Sequence, residues 1–117
     1  MSQYTIYHNP RCSKSRATLS LLEENAVVPT VILYLEDTPA VDQLREIFKK
    51  LDMSPGQLLR KGEDVYKTCG LDADSSEEQI LQAMSAHPKL LERPIVVKGE
   101  RAVVGRPPEN VLELIKA

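Results

Sequence analysis

The sequence predicts an α/β domain on a mixed four-stranded sheet, with elements in the order β-α-β, helical insertion, β-β-α. Three observations carry this reading. Near the N-terminus, runs rich in β-branched residues alternate with a run of helical period. The middle of the chain holds helix start signals and helical periodicity but no strand-like run. Near the C-terminus, two short apolar runs flank a glycine-bearing link. The length of 117 residues suits one domain, and 42% hydrophobic residues suffice for a core. With only 4% aromatics, that core must be aliphatic.

Each element has a local cause. Tyr4-Thr5-Ile6-Tyr7-His8 favours a strand and stops at Asn9-Pro10, a turn pair. From Ser13, Ala17, Leu21, Leu22 and Ala26 recur at helical spacing. Val31-Ile32-Leu33-Tyr34-Leu35 is almost wholly apolar, the pattern of a strand covered on both faces. Strand, helix and strand over about thirty residues make a right-handed βαβ unit. Thr38-Pro39 offers an N-cap and first-turn proline ahead of Val41, Leu44, Ile47, Phe48 and Leu51. Ser54-Pro55-Gly56-Gln57 carries a capping-box pattern, and Ser75-Ser76-Glu77-Glu78 another, before a helix that Pro88 ends. Pro94–Val97 and Arg101–Val104 read as strands joined by Lys98-Gly99-Glu100, an antiparallel hairpin. Pro107-Pro108 opens a last helix with Val111, Leu114 and Ile115 on one face. This order is that of a thioredoxin-like domain, spanning 1–117 with a helical insertion at about 38–91.

Composition narrows the function. Fifteen basic against seventeen acidic residues give a formal net charge of -2, unlike the positive excess of nonspecific nucleic-acid binders. No apolar run approaches the roughly 18 residues of a membrane span. The N-terminal residues show no basic region followed by an apolar stretch, so a cytoplasmic, reducing location is expected. Two cysteines cannot make a disulfide framework.

One cysteine stands out. Cys12 falls between the first strand and first helix, where unpaired backbone N–H groups and the positive helix end favour a thiolate and can cradle an anion. Arg11 and Lys14 add positive charge, and His8 lies one strand end away. A dithiol Cys-x-x-Cys centre is excluded, because Ser15 holds the second position; its hydroxyl is positioned to donate to the thiolate. A tyrosine-phosphatase loop needs arginine where Thr18 stands. His8, Cys12, Cys69 and His87 show no recognised zinc spacing, so no metal is expected. Cys69 reads as structural, His87 as a helix end, and Tyr7 and Tyr34 as core residues.

The run His8-Asn9-Pro10-Arg11-Cys12-Ser13-Lys14-Ser15-Arg16 resembles the active-site loop of the glutaredoxin-dependent arsenate reductase family, which is thioredoxin-like. Leu58-Leu59-Arg60, Glu92-Arg93-Pro94-Ile95-Val96-Val97 and Gly105-Arg106-Pro107-Pro108 resemble its three arginine segments, in order and across almost the whole chain. Taken singly, these arginines read as surface residues. The resemblance implies that Cys12 is the nucleophile, that His8 is linked to thiolate formation, and that Arg60, Arg93 and Arg106 bind the substrate oxyanion. It also implies a cis Arg93–Pro94 bond and reduction of arsenate with glutathione as co-substrate and glutaredoxin as partner, without a bound cofactor. Guanidinium groups suit a tetrahedral dianion because they stay charged and pair bidentately with oxygens. Family reductases usually carry glycine and threonine after the cysteine; Ser13 and Lys14 here are expected either to narrow the cradle or, through the Lys14 charge, to favour a phosphate- or sulfate-like anion. Two other readings stand beside it. One is a thiol oxidoreductase acting on another oxyanion or a glutathionylated protein. The other is a redox-sensing transcription regulator that binds RNA polymerase, whose usual sensor pair lacks its second cysteine here.

Overall fold

A computed structural model describes residues 3–116. Met1, Ser2 and Ala117, the ends of the expected 1–117 domain, lie outside the described residues. The strands are β1 (Tyr4–Tyr7), β2 (Thr30–Ile32), β3 (Ile95–Lys98) and β4 (Arg101–Val104). The helices are α1 (Ser13–Glu24), α2 (Val41–Leu51), α3 (Asp64–Thr68), α4 (Glu77–Ala86) and α5 (Val111–Lys116). Short 3-10 turns cover Pro55–Leu58, Pro88–Leu90 and Pro108–Asn110, each opened by a proline.

The sheet runs β2-β1-β3-β4, with β1 parallel to β2 and antiparallel to β3, and β3 antiparallel to β4. It is the mixed thioredoxin-like sheet that the element order predicts. The hairpin is tighter than expected. Lys98 pairs with Arg101, which leaves a two-residue link. Gly99 takes φ 59° at its first position, which is a glycine preference of primed turns. The two-sided covering expected for Val31–Leu35 is not found. Only Thr30–Ile32 forms a strand, and it lies at the sheet edge, with Val31 44% exposed. An edge strand lies at the rim of whatever packs over the sheet, so its side chains stay partly exposed, and the run leaves the ladder after Ile32.

The chain divides into two compact units, one reaching Asp37 and resuming at Arg93, the other Thr38–Glu92. In the first, Ile6 and Val96 face each other across β1 and β3, and Leu22, Val111 and Leu114 close over them. All five are fully buried, which places α1 and α5 on one face of the sheet. In the second, α2 contributes Leu44, Ile47, Phe48 and Leu51 and α4 contributes Ile80, Leu81 and Met84, all buried. Those positions are the predicted apolar stripes. The α2 helix starts at Ala40 rather than Thr38; the Ala40 N–H donates to Gln43 Oε1 at 2.9 Å. Ser76 and Gln79 form the box at α4, with Gln79 N donating to Ser76 Oγ at 3.1 Å and Ser76 N to Gln79 Oε1 at 2.7 Å. The α1 helix ends in a Schellman motif around Ala26, at φ 63°, with Val27 N bonded to Leu22 O at 2.9 Å and Ala26 N to Glu23 O at 3.0 Å. Among the described residues, no helix is long and apolar enough to cross a membrane.

Candidate active site

The turn after β1 builds the site. Cys12 is the N-cap of α1, with extended backbone (φ -94°, ψ 123°) and no side-chain capping bond. Its N–H donates to Asn9 O at 3.0 Å, and its carbonyl accepts from Arg16 N at 3.0 Å. The thiol is therefore fixed at the helix entrance by its backbone, leaving sulfur half-buried and available. Arg106 reaches it from the far end of β4. Its Nη1 lies 3.9 Å from Cys12 Sγ, a long N–H···S contact, and donates to Arg93 O at 3.1 Å. Cys12 and Arg106 are 94 positions apart, so the fold itself assembles this pair.

Gly105 makes that approach possible. A Cβ at this position would sit 2.5 Å from Thr18 Oγ1 and 2.8 Å from Pro94 Cγ. Thr18, fully buried, donates to Lys14 O at 2.8 Å and Gly105 O at 3.2 Å, and Gly105 N donates to Pro94 O at 2.9 Å. Asn110 Nδ2 ties Val104 O and Arg106 O at 3.0 and 3.2 Å. The Arg93–Pro94 bond is cis, as expected, and so is Arg106–Pro107. Two guanidinium nitrogens of Arg93, Nε and Nη1, are shut away from solvent.

His8 and Ser15 form a buried pair at the base of the turn. His8 Nδ1 lies 2.6 Å from Ser15 Oγ, and His8 is only 6% exposed. Ser15 Oγ also accepts from Asn9 N at 3.0 Å. The hydroxyl expected to serve the thiolate is thus engaged with the histidine and the turn. Asn9 Oδ1 accepts from Arg11 N at 3.0 Å, and Arg16 Nη1 donates to Pro10 O at 2.9 Å. Burial, followed by the nearby Arg16 charge, pushes the His8 pKa below its ordinary 6.5. Ser13 and Lys14 are exposed on the first turn of α1.

Arg60 belongs to the Thr38–Glu92 unit. There its backbone N–H donates to Leu90 O at 2.7 Å, beside an antiparallel bridge between Leu59 and Leu91. Its guanidinium pairs with Glu63 at 3.4 Å and Glu92 at 3.9 Å. Cys69 is a half-buried free thiol closing α3, and His87 is exposed at the end of α4. Tyr34 is buried as expected, whereas Tyr7 is half-buried; burial and the Asp37 charge raise its pKa. Among the described residues, no three His, Cys, Asp or Glu side chains cluster as a metal site would need.

Sequence reasoning brought out His8, Cys12, Ser15, Arg93 and Arg106, which fall in one unit. It missed the supporting roles of Asn9, Arg16, Gly105 and Asn110. Only Gly105, adjoining an Arg-Pro pair, carries a readable signal; the others depend on which side chain meets which carbonyl.

Comparison with known proteins fits this geometry. The ArsC family model matches residues 7–114. The chain is 55% identical to the uncharacterized protein YfgD of Escherichia coli K12, over 97% of each chain. It is 46% identical to the arsenate reductase of Haemophilus influenzae, over 94% of this chain and 97% of the relative. The arsenate reductase structure from Vibrio cholerae superposes with a TM-score of 0.90 at 47% identity, covering 94% of this chain and 95% of that one. With a cysteine at the entrance of α1, a mixed thioredoxin-like sheet and a family match over nearly its full length, the chain belongs to the ArsC family.

Proposed function

We propose that this protein reduces arsenate to arsenite, with Cys12 as nucleophile, glutathione as co-substrate and glutaredoxin as the partner that regenerates the thiol. The observation that carries the reading is the pairing of a half-buried thiol at a helix entrance with Arg106, 3.9 Å from its sulfur. Relatives at 46% identity named arsenate reductase support the choice of substrate.

In this reading Arg93 and Arg106 bind the oxyanion, and backbone N–H groups at the start of α1 face its oxygens. The Cys12 thiolate forms an S–As bond as one arsenate oxygen leaves as water. A glutathione thiol then displaces a second arsenic-bound oxygen as water. The glutaredoxin thiolate attacks the glutathione sulfur, forming the disulfide and leaving the S–As electron pair on arsenic, and one water cleaves the Cys12–As bond to release arsenite and the thiol. Over the whole cycle, arsenate and two thiols become arsenite, one disulfide and one water. Arsenic gains the two electrons that the two thiols lose, and the two thiol protons leave in the water. An outside thiol is required because Ser15, not cysteine, occupies the second position of the motif. Such chemistry suits a reducing, cytoplasmic compartment and needs no resident cofactor.

The test is arsenate-dependent consumption of reductant by the purified protein with glutathione and glutaredoxin, beside Cys12→Ser. Turnover is expected only with Cys12 present. Equal rates in the two proteins would refute the reading. The exposed Ser13 and Lys14 beside the thiol favour one second reading, the same thiol chemistry on another oxyanion or a glutathionylated protein. Faster turnover of glutathione mixed disulfides than of arsenate would select it.

A further inference from the structure

We propose that a recess beside the Cys12 turn seats the small peptidic thiol that attacks the cysteine–arsenic adduct, with His8 Nε2–H and Arg11 as donors to its anionic groups and Glu36 as acceptor for its ammonium. This rests on the reading just given. The recess has a volume of 290 Å³ and is lined by His8, Pro10, Arg11, Leu33, Leu35 and Glu36, among others. Ligand pockets begin at about 300 Å³, so the recess is large enough for part of a small ligand, and its lining decides the class.

The protonation of His8 follows from hydrogen counting. Ser15 is fully buried, so its hydroxyl hydrogen has no route to water. Its oxygen already accepts from Asn9 N, and the acceptor within reach is His8 Nδ1, 2.6 Å away. Ser15 therefore donates to Nδ1, and the neutral ring carries its proton on Nε2. Among the described residues Nε2 has no protein partner, so its N–H is what His8 presents to a ligand. A proton on this nitrogen makes His8 a donor to an anion.

The walls choose the ligand class. Leu33 and Leu35 are each 37% exposed, and an oxyanion, which wants donors on every side, gains nothing from them. Arg11 and Glu36 are both exposed and opposite in charge. Leucines sharing one recess with a cation and an anion match the methylenes, carboxylates and ammonium of a γ-glutamyl tripeptide. Position agrees as well, since Arg11 directly precedes Cys12 and the lining turn ends at the nucleophile.

The probe is S-methylglutathione, which has the tripeptide's groups but no thiol to react. Methyl and imidazole NMR signals of the full protein are followed as it is added. Saturable shifts are expected at Leu33, Leu35 and His8, with His87 as the unmoved histidine. Leu35→Asp should weaken binding at least about tenfold and raise KM for glutathione without moving KM for arsenate. Glu36→Gln, at an exposed side chain, repeats the measurement should the leucine variant misfold. No saturation by about 10 mM, shifts elsewhere, or unchanged affinity in Glu36→Gln and folded Leu35→Asp would each overturn the proposal. Arsenate turnover without recess binding sinks the seat alone; recess binding without arsenate turnover sinks the reaction alone.

Discussion

Arg106 and His8 do different work around the turn that carries Cys12. The Arg106 guanidinium spans Cys12 Sγ and the Arg93 carbonyl, so its place is set before substrate arrives. A charged hydrogen bond of this kind contributes about 1.5–3 kcal/mol. Losing a bond of the same kind to a bound oxyanion, Arg106→Leu should lower kcat/KM for arsenate by roughly ten- to a hundredfold, read from initial rates, and lower the melting temperature as the Arg93 carbonyl loses its donor. His8 is held by Ser15 and repelled by the Arg16 charge. Arg16→Met should raise the His8 pKa, and imidazole NMR can follow it cleanly because the chain has two histidines. A lower or unmoved value would show that burial alone governs the ring. The contact of Ser15 was the least readable feature in the sequence. Spacing marks a hydroxyl three positions after Cys12, one helical turn, but does not say whether it turns to the sulfur or to the buried strand end.

The elements succeeded as predictions where periodicity was long and failed where a partner decided the outcome. The stripes of α2 and α4 specify buried faces through many residues, and their helices follow. The run Val31–Leu35 has the hydrophobicity of an internal strand, yet sheet order decides whether both faces are covered, and local sequence is silent on that order. Helix ends were legible where a serine caps, as at Ser76, or a proline stops the helix, as at Pro88. The α1 helix closes on Ala26 in the left-handed region, a conformation that glycine adopts without Cβ penalty. Ala26→Gly should raise stability by about 0.5–1 kcal/mol in urea unfolding. Gly105 predicts the reverse. A methyl there would meet buried Thr18 and the ring of Pro94, neither able to step aside. Gly105→Ala should cost about 1–3 kcal/mol and lower activity with it, because Arg106 is the next residue. Unaltered melting would show that the loop gives way freely.

Across the whole molecule, protonation of His8 links the site to stability. Its folded pKa lies below 6.5, so the unfolded chain binds the proton more readily. The stabilisation is complete above about pH 6.5 and is lost as pH falls through the folded value. Urea midpoints should drop between about pH 7.5 and 5, and His8→Gln should flatten that slope whatever its effect on the midpoint. The family was legible because its motifs are spread along nearly the whole chain, whereas the division into two compact units came from folding the 38–92 segment around its own apolar stripes. The brevity of β2 has a consequence for the protein in company. Its free edge carries Val31, and Val28 nearby is 80% exposed. A long, flat edge of this kind would template a second copy by continuing the sheet into it. Three residues offer few rungs for such a copy, so the apolar border at β2 is a poor template for continuing the sheet.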